Sequence, residues 1–214
     1  VNAGYLGEKQ RKWWQQLFYN GLGEFLYLNE ITTNPGELVN IVSTVPEKGR
    51  RIHCRSNTQY LVPMGGGKDS AVGLEFLSKI PVTAIPVAMN PDPAIKGVIA
   101  ASGNSTSPLF FTRHFDRRLI DLNQKGFLNG HTPFSALVAF GTSLIGYLNH
   151  IPNIALSNES SANEPTIPGT NINHQYSKSL EFENSFRDYM EMHVGTGFNY
   201  FSLLRPLNEL QIAS

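Results

Sequence analysis

Apolar residues recur along the chain at two spacings, and the change from one to the other outlines a fold. Residues 8–28, EKQRKWWQQLFYNGLGEFLYL, place apolar side chains at helical intervals but are interrupted by Gly21 and Gly23. That pattern predicts two short helices or one bent helix, with Trp13 and Trp14 as packing residues. Residues 37–45, ELVNIVSTV, lie between Pro-Gly and Pro-Glu-Lys-Gly turn signals and predict a strand or short hairpin in a separate region, with a boundary near Arg55. Beyond it, strands and helices alternate. Strands are expected at 60–64, 82–88, 108–115 (PLFFTRHF), 153–157 and 199–204, and helices at 70–79, 93–101, 133–148 and 177–193. Long loops are expected at 116–131 and 158–176.

Parallel strands need crossover connections, and helices supply them. The alternation therefore predicts an α/β fold, a parallel sheet with helices on both faces, over residues 56–214. A partial N-terminal region, residues 1–55, precedes it. Ligands of such sheets bind beyond the carboxyl ends of the strands, where loops 65–69, 89–93 and 158–176 fall.

Composition narrows the function classes. With 214 residues, 41% of them hydrophobic, the chain can bury a sizeable core. Lys plus Arg equals Asp plus Glu at 17 each, so no global charge points to nucleic acid or a membrane surface, and any anionic ligand must be held by local geometry. The longest uncharged run, Thr132 to Asn149, contains Pro133, two glycines and several hydroxyl or amide groups, which fits a buried helix better than a membrane span. Cys54 is the only cysteine, so an internal disulfide and an all-cysteine metal site are excluded, consistent with a cytoplasmic protein. No signal peptide is visible. The chain opens at Val1 without Met and ends on NELQIAS, which reads as the first turns of an unfinished helix. A longer parent protein is expected.

The candidate chemistry starts at LVPMGGGKDSAVGLEFL, residues 61–77. A buried strand runs into a turn of three glycines, and a helix expected to start near Ser70 directs its free N–H groups at that turn, which is a place for an anion. Glycines permit positive φ and close approach of the backbone, and Ser70 is the expected helix cap. A Walker A loop is excluded, because it needs glycine where Val62 stands and Ser or Thr where Asp69 stands. The dinucleotide pattern fits only loosely through Gly65, Gly67 and Ser70. Beside a triphosphate, Asp69 is a reasonable Mg²⁺ ligand.

Two further stretches hold candidates. In NGHTPFSALVAFG, Thr132 is the expected N-cap and Pro133 the first helical residue, which leaves His131 outside the structural account as a ligand or proton carrier. After strand 153–157 the loop places Asn158-Glu159 and Asn163-Glu164 five residues apart. Two carboxylates beside amides suit Mg²⁺ binding or proton transfer, and a solvated loop accommodates them equally well. His174, Tyr176, Ser177 and Lys178 gather at the start of the next helix, where capping and anion roles overlap.

GGGKDS resembles the PP-loop, S-G-G-x-D-S, of the ATP pyrophosphatases of the adenine-nucleotide α-hydrolase (HUP-like) class, which cleave ATP between the α and β phosphates. Gly65 stands in place of the usual first serine. LLRPLNELQIA, residues 203–213, is similar to a strand-then-RPL segment of many such proteins. Together with NGHTPFSAL, ALSNESSANE and NHQYSKSLEFE, these stretches resemble one PP-loop family closely, the ATP-dependent UDP-N-acetylmuramoyl-L-alanyl-L-glutamate epimerases.

The resemblance covers about residues 58–214. It implies ATP and Mg²⁺ as cofactors, a nucleotide-linked muropeptide as substrate, no nucleic-acid or membrane partner, and inversion of the terminal glutamate of a peptidoglycan precursor through an acyl-adenylate, with AMP and diphosphate released. Adenylation makes chemical sense here. It neutralises the carboxylate and acidifies the α-hydrogen, whereas the two-thiol chemistry of many cofactor-free racemases is closed to a chain whose only thiol is Cys54.

The implied roles place the phosphates on Gly65, Gly66, Gly67 and Ser70, with Lys68 offsetting charge and Asp69 positioning the metal. His131, Glu159 and Glu164 are the candidate catalytic residues, and Asn158, Asn163, His174 and Lys178 the candidate substrate contacts. A different PP-loop adenylating enzyme and a non-catalytic adenine-nucleotide module remain the alternatives.

Overall fold

The structure, a computed structural model, describes residues 4–44, 49, 51–130 and 132–213. Its centre is a five-stranded, wholly parallel sheet of β2 (Gln59–Pro63), β3 (Thr83–Met89), β4 (Leu109–Phe111), β5 (Asn153–Leu156) and β7 (Asn199–Ser202), in the order β4-β3-β2-β5-β7. From β2 the chain winds outward through β3 to β4, then returns to the other side of β2 for β5 and β7. The winding direction therefore reverses between β2 and β5, where a crevice opens at the carboxyl ends of the strands.

Both faces of the sheet are covered, which is why its strands read as continuous apolar runs. On one face Leu61, Ile85, Val87, Ile154 and Tyr200 meet α7 (Phe134–Leu148) and α8 (Leu180–Tyr189), with Phe182 and Phe186 buried at the centre. On the other, Val62, Ala84, Ala88 and Ala155 meet Leu74 and Leu77 of α4 (Lys68–Ser78) and Ile95 and Ile99 of α5 (Pro93–Ala101). Gly146 lets α7 close on the strand that follows, since a Cβ there would lie 2.5 Å from the Ile151 carbonyl oxygen.

α1 (Glu8–Gly21), from the region that the sequence sets apart before Arg55, lays Leu17 into the first of these cores. Trp13 Nε1 donates to Ser185 Oγ at 2.6 Å and Trp14 Nε1 to Tyr189 Oη at 3.1 Å, while Trp14 stacks on Phe140 at 4.8 Å. α2 (Gly23–Leu28) follows after the break that Gly21 and Gly23 predict. A second, two-stranded parallel pair joins β1 (Ile52–His53) to β6 (Gly195–Thr196).

Several local expectations are corrected. Residues 37–45 form no strand among those described: α3 (Pro35–Leu38) is one turn capped by Asn34, and the following backbone is taken up by α1 and its approach. Gln15 Nε2 donates to Val39 O at 2.9 Å and Leu6 N to Ser43 Oγ at 3.1 Å. The loop expected at 116–131 contains α6 (Arg117–Gln124), capped by the Asp116 side chain, which accepts from Arg118 N. The helix expected over 177–193 divides into a 3₁₀ turn (Tyr176–Lys178), α8 and a π turn (Met190–Val194), because Ser179 starts a new cap and the chain must widen before Gly195. No described helix is long and apolar enough to cross a membrane.

Candidate functional site

The reversal between β2 and β5 holds a pocket of about 410 Å³. Its floor is the glycine turn that follows β2. Gly66 takes φ +77°, and a Cβ there would meet Ile95 at 3.1 Å, so this glycine is required by the turn itself. Gly65 and Gly67 differ: a Cβ at either would meet nothing within 4 Å, so the missing side chains leave open space above the backbone.

α4 starts at Lys68 rather than near Ser70. Its N-cap is Gly67, and no side chain caps its first turn. Ser70 is therefore not the expected cap; its hydroxyl is turned back to donate to Gly67 O at 2.9 Å. Uncapped N–H groups at a helix start, facing space that glycines have vacated, form a cradle for an anion.

The opposite wall comes from the end of β5, with Ser157, Asn158 and Glu159, and from Gln175 and Lys178 before α8. Phe134, Ser135 and Val138 of α7 close the third side. α7 begins at Phe134 with Pro133 as N-cap, one residue later than its sequence suggests, and Thr132 O accepts from Phe134 N. Ser157 Oγ is buried without a hydrogen-bond partner among the described residues. It occupies the space left by Gly73, whose Cβ would lie 2.2 Å from it.

Charge around the cradle is mixed. Lys68 Nζ donates to Asp69 Oδ1 at 2.9 Å and lies 3.7 Å from Glu209 Oε1. The hydrogen bond to Asp69 holds the ammonium pKa above its usual value against the opposing effect of desolvation, and the charges of Asp69, Glu159 and Glu209 add to the rise. Glu159 Oε1 accepts from Ser161 Oγ at 2.9 Å, while its Oε2 has no partner among the described residues. One acceptor on this carboxylate is thus uncommitted at the pocket wall.

Arg205 anchors that wall. Its Nη1 donates to Glu159 O at 3.1 Å, and its Nη2 to Lys178 O at 2.8 Å and to Glu183 Oε2 at 2.9 Å. Ser202 Oγ donates to the same Glu183 oxygen at 2.6 Å and accepts from Asn158 Nδ2 at 3.1 Å. One buried ion pair therefore fixes both loops that face the glycine turn.

The pocket brings together Gly65, Gly67, Asp69, Ser70, Asn158, Glu159 and Lys178. Gly66 lies behind the turn against Ile95. Asn163 is used in the framework: its Oδ1 accepts from Leu180 N at 2.7 Å and its Nδ2 donates to Ser160 O at 3.0 Å. Glu164 is exposed and, like His174, does not line the pocket; His174 N donates to Thr166 Oγ1. His131 lies outside the described residues. Ser135, Ser157, Gln175 and the anchoring role of Arg205 escape the sequence reading. Only Gly73, an otherwise unexplained glycine inside a helix, signals a close neighbour such as Ser157.

A smaller cavity of about 240 Å³ shares Gly65, Phe134 and Val138 with the first and is otherwise walled mainly by apolar residues of β3, α5 and Phe111. A larger cavity, about 600 Å³, lies between α1, α2 and residues 171–176, away from the glycine turn; its one charged lining residue is Glu181, which does not suit a phosphate. No group of three or more His, Cys, Asp or Glu among the described residues is placed to hold a metal on its own. That donor set still fits Mg²⁺, which commonly takes one carboxylate and completes its shell from phosphates and water. Asp69 is the carboxylate at the cradle.

Three curated relatives bear the name UDP-N-acetyl-alpha-D-muramoyl-L-alanyl-L-glutamate epimerase. The one from Micromonospora sp. is 35% identical over 97% of this chain and 46% of its own length. That from Salinispora tropica is 44% identical over 72% of this chain and 34% of its own length, and that from Xanthomonas oryzae pv. oryzae 35% identical over 93% and 44%. The chain thus spans less than half the length of the curated relatives it matches. A solved structure described as a predicted subunit of tRNA methyltransferase from Methanocaldococcus jannaschii overlaps 73% of each chain at 13% identity with a TM-score of 0.40, too distant to bear on function. Residues 1–203 match the family described as the MurL N-terminal domain, and with that match over nearly its whole length the chain belongs to this family.

Proposed function

We propose that this chain carries the nucleotide-binding part of an ATP-dependent epimerase that inverts the terminal L-glutamate of UDP-N-acetylmuramoyl-L-alanyl-L-glutamate. The observation that carries the reading is the pair of open glycines, Gly65 and Gly67, at the uncapped start of α4, in a pocket that also contains Glu159 and Lys178. The names of the relatives support the substrate. We assign the nucleotide-binding unit to residues 56–214, with α1 of the preceding region packed on its core.

In this proposal the N–H groups of Gly65 to Ser70 hold the phosphates of ATP, and Asp69 holds Mg²⁺ beside them. Bound ATP supplies activation of the glutamate carboxylate, with AMP and diphosphate as products. Lys68, already paired with Asp69, moderates charge at the cradle. Lys178 and Asn158 face the activated carboxylate. Among the candidate bases Glu159 is the one that lines the pocket with an uncommitted oxygen, so it is assigned the α-proton; His131 is kept as a candidate proton carrier, and Glu164 and His174 are given outer roles.

The test is incubation of the full-length polypeptide in D₂O with ATP, Mg²⁺ and the nucleotide-linked dipeptide. Glutamate should gain one deuterium as its configuration inverts, and α-labelled ATP should yield labelled AMP. AMP formation with another acceptor, leaving this stereocentre untouched, overturns the reading.

A further inference from the structure

Arg113 is a cation that the proposed chemistry does not use. It follows β4 at the carboxyl edge of the sheet and is locked in place. Its N–H donates to Asn90 Oδ1 at 2.7 Å and its carbonyl accepts from Asn90 Nδ2 at 3.0 Å. Asn90 itself sits at φ +48° and lines the smaller cavity beside the glycine turn. The guanidinium lies 4.2 Å from the ring centre of Phe115 and 5.2 Å from that of Phe134. Phe134 lines both cavities, so Arg113, which lines neither, packs on a side chain common to the two.

Two facts separate this arginine from one held only by packing. It makes no ion pair among the described residues, and its buried Nε has no hydrogen-bond partner there. A buried donor left unmatched is unfavourable unless a ligand completes it. Stacking on aromatic rings leaves the edge of the guanidinium fork free, and that edge matches two oxygens of a phosphate. At the cradle Lys68 is engaged by Asp69, which leaves Lys178 as the cation lining that pocket and few positive charges for a polyphosphate.

We propose that Arg113, on its Phe115–Phe134 platform, is a binding residue for a phosphate group of a nucleotide lying across Phe134. The inference rests on the proposed function, which offers two sources of that chemistry, the triphosphate of ATP and the uridine diphosphate of the substrate. Calorimetric titrations of ATP and of UDP, each with Mg²⁺, into the wild type, Arg113→Gln and Phe115→Leu distinguish them. Arg113→Gln weakens binding of at least one nucleotide about tenfold or more, with Phe115→Leu acting in the same direction to a smaller extent.

Loss for ATP alone assigns the residue to the adenine nucleotide, loss for UDP alone to the substrate, and loss for both to a position they share. Arg113 is half-buried and has no ion pair among the described residues to lose, so the melting temperature should hold; if Arg113→Gln fails to fold, Phe115→Leu carries the test. Wild-type affinity for both nucleotides in the folded variants overturns this inference alone. A wild type that binds neither overturns it together with the proposed function.

Discussion

Arg205 Nη2 lies 2.9 Å from Glu183 Oε2, and the two side chains are only 13% and 6% exposed. Through this pair the start of the C-terminal segment, α8 and the two pocket loops are held in one arrangement, since the same guanidinium binds the carbonyls of Glu159 and Lys178. Removing one partner strands a buried charge. Arg205→Met is expected to lower unfolding free energy by about 3 kcal/mol in urea titrations. The double variant Arg205→Met/Glu183→Leu should recover part of that loss, whereas a double variant that loses the sum of the two single losses would show that the pair is not coupled.

The three glycines of the turn should behave differently. Gly66→Ala forces a side chain into a positive-φ position against Ile95 and should destabilise the fold by about 1–3 kcal/mol. Gly67→Ala has open space and φ −94°, so its thermal midpoint should stay near that of the wild type while ATP affinity falls. Thermal unfolding and calorimetry on the two variants separate the roles.

Asp69→Asn keeps the shape of the cradle and removes one charge. Its carboxylate is 38% exposed and pairs with a lysine that is 42% exposed, so the stability change should stay below about 1 kcal/mol. Mg²⁺-dependent AMP formation should be lost. In NMR titrations the Lys68 pKa, held up chiefly by the hydrogen bond to Asp69, should move back toward that of an ordinary lysine.

Alkaline stability tests the core. Burial pushes the Tyr200 phenol far above the usual tyrosine pKa, with the charge of Glu183 adding and that of Arg205 opposing. Below pH about 10 the folded and unfolded phenols are both protonated, so nothing changes. Above it the unfolded phenol ionises and the folded one does not, so stability falls as pH rises, by about 1.4 kcal/mol per pH unit for this group. Tyr176, raised mainly by burial, adds in the same direction. Tyr200→Phe should flatten the slope by the Tyr200 share. Because the hydroxyl has no hydrogen-bond partner among the described residues, the variant should lose little or nothing at pH 7.

Substitution at Gly146 offers a stability control far from the cradle. A Cβ there meets the backbone oxygen of Ile151 at 2.5 Å, and a carbonyl cannot rotate aside as a side chain can. Gly146→Ala should destabilise by about 2 kcal/mol or more in urea unfolding, despite the better helix propensity of alanine, with the nucleotide affinity of the folded fraction unchanged.

The central strands were legible because they are buried on two faces, so runs such as YLVPM and NIALS stand out without any partner. The edge strand expected over 108–115, by contrast, is only Leu109–Phe111, with Phe110 45% exposed. Residues 37–45 misled because an apolar run says nothing about whether a neighbouring strand exists; Gln15 and Leu6 supply the hydrogen bonds instead. α6 was hidden by its full exposure, although Asp116 before it and Gly126 after it, at φ +78°, are ordinary start and stop signals. At the site, the glycine turn was readable from composition alone. The division of the acidic loop was not, since Glu159 and Glu164 are chemically alike and only the 3₁₀ turn Ser160–Asn163 sends one to the pocket and the other to solvent. Arg205 holds partners distant in sequence, Glu159 and Glu183, which no local pattern announces.

The seating of α1 also sets a timetable for synthesis. Trp13 and Trp14 emerge from the ribosome early, yet their receptors, Ser185 and Tyr189, follow 172 and 175 residues later. The first helix must wait with its indoles uncovered until α8 has been translated, a window in which a holdase chaperone has most to protect and in which a ribosome stalled before residue 185 would leave an aggregation-prone product.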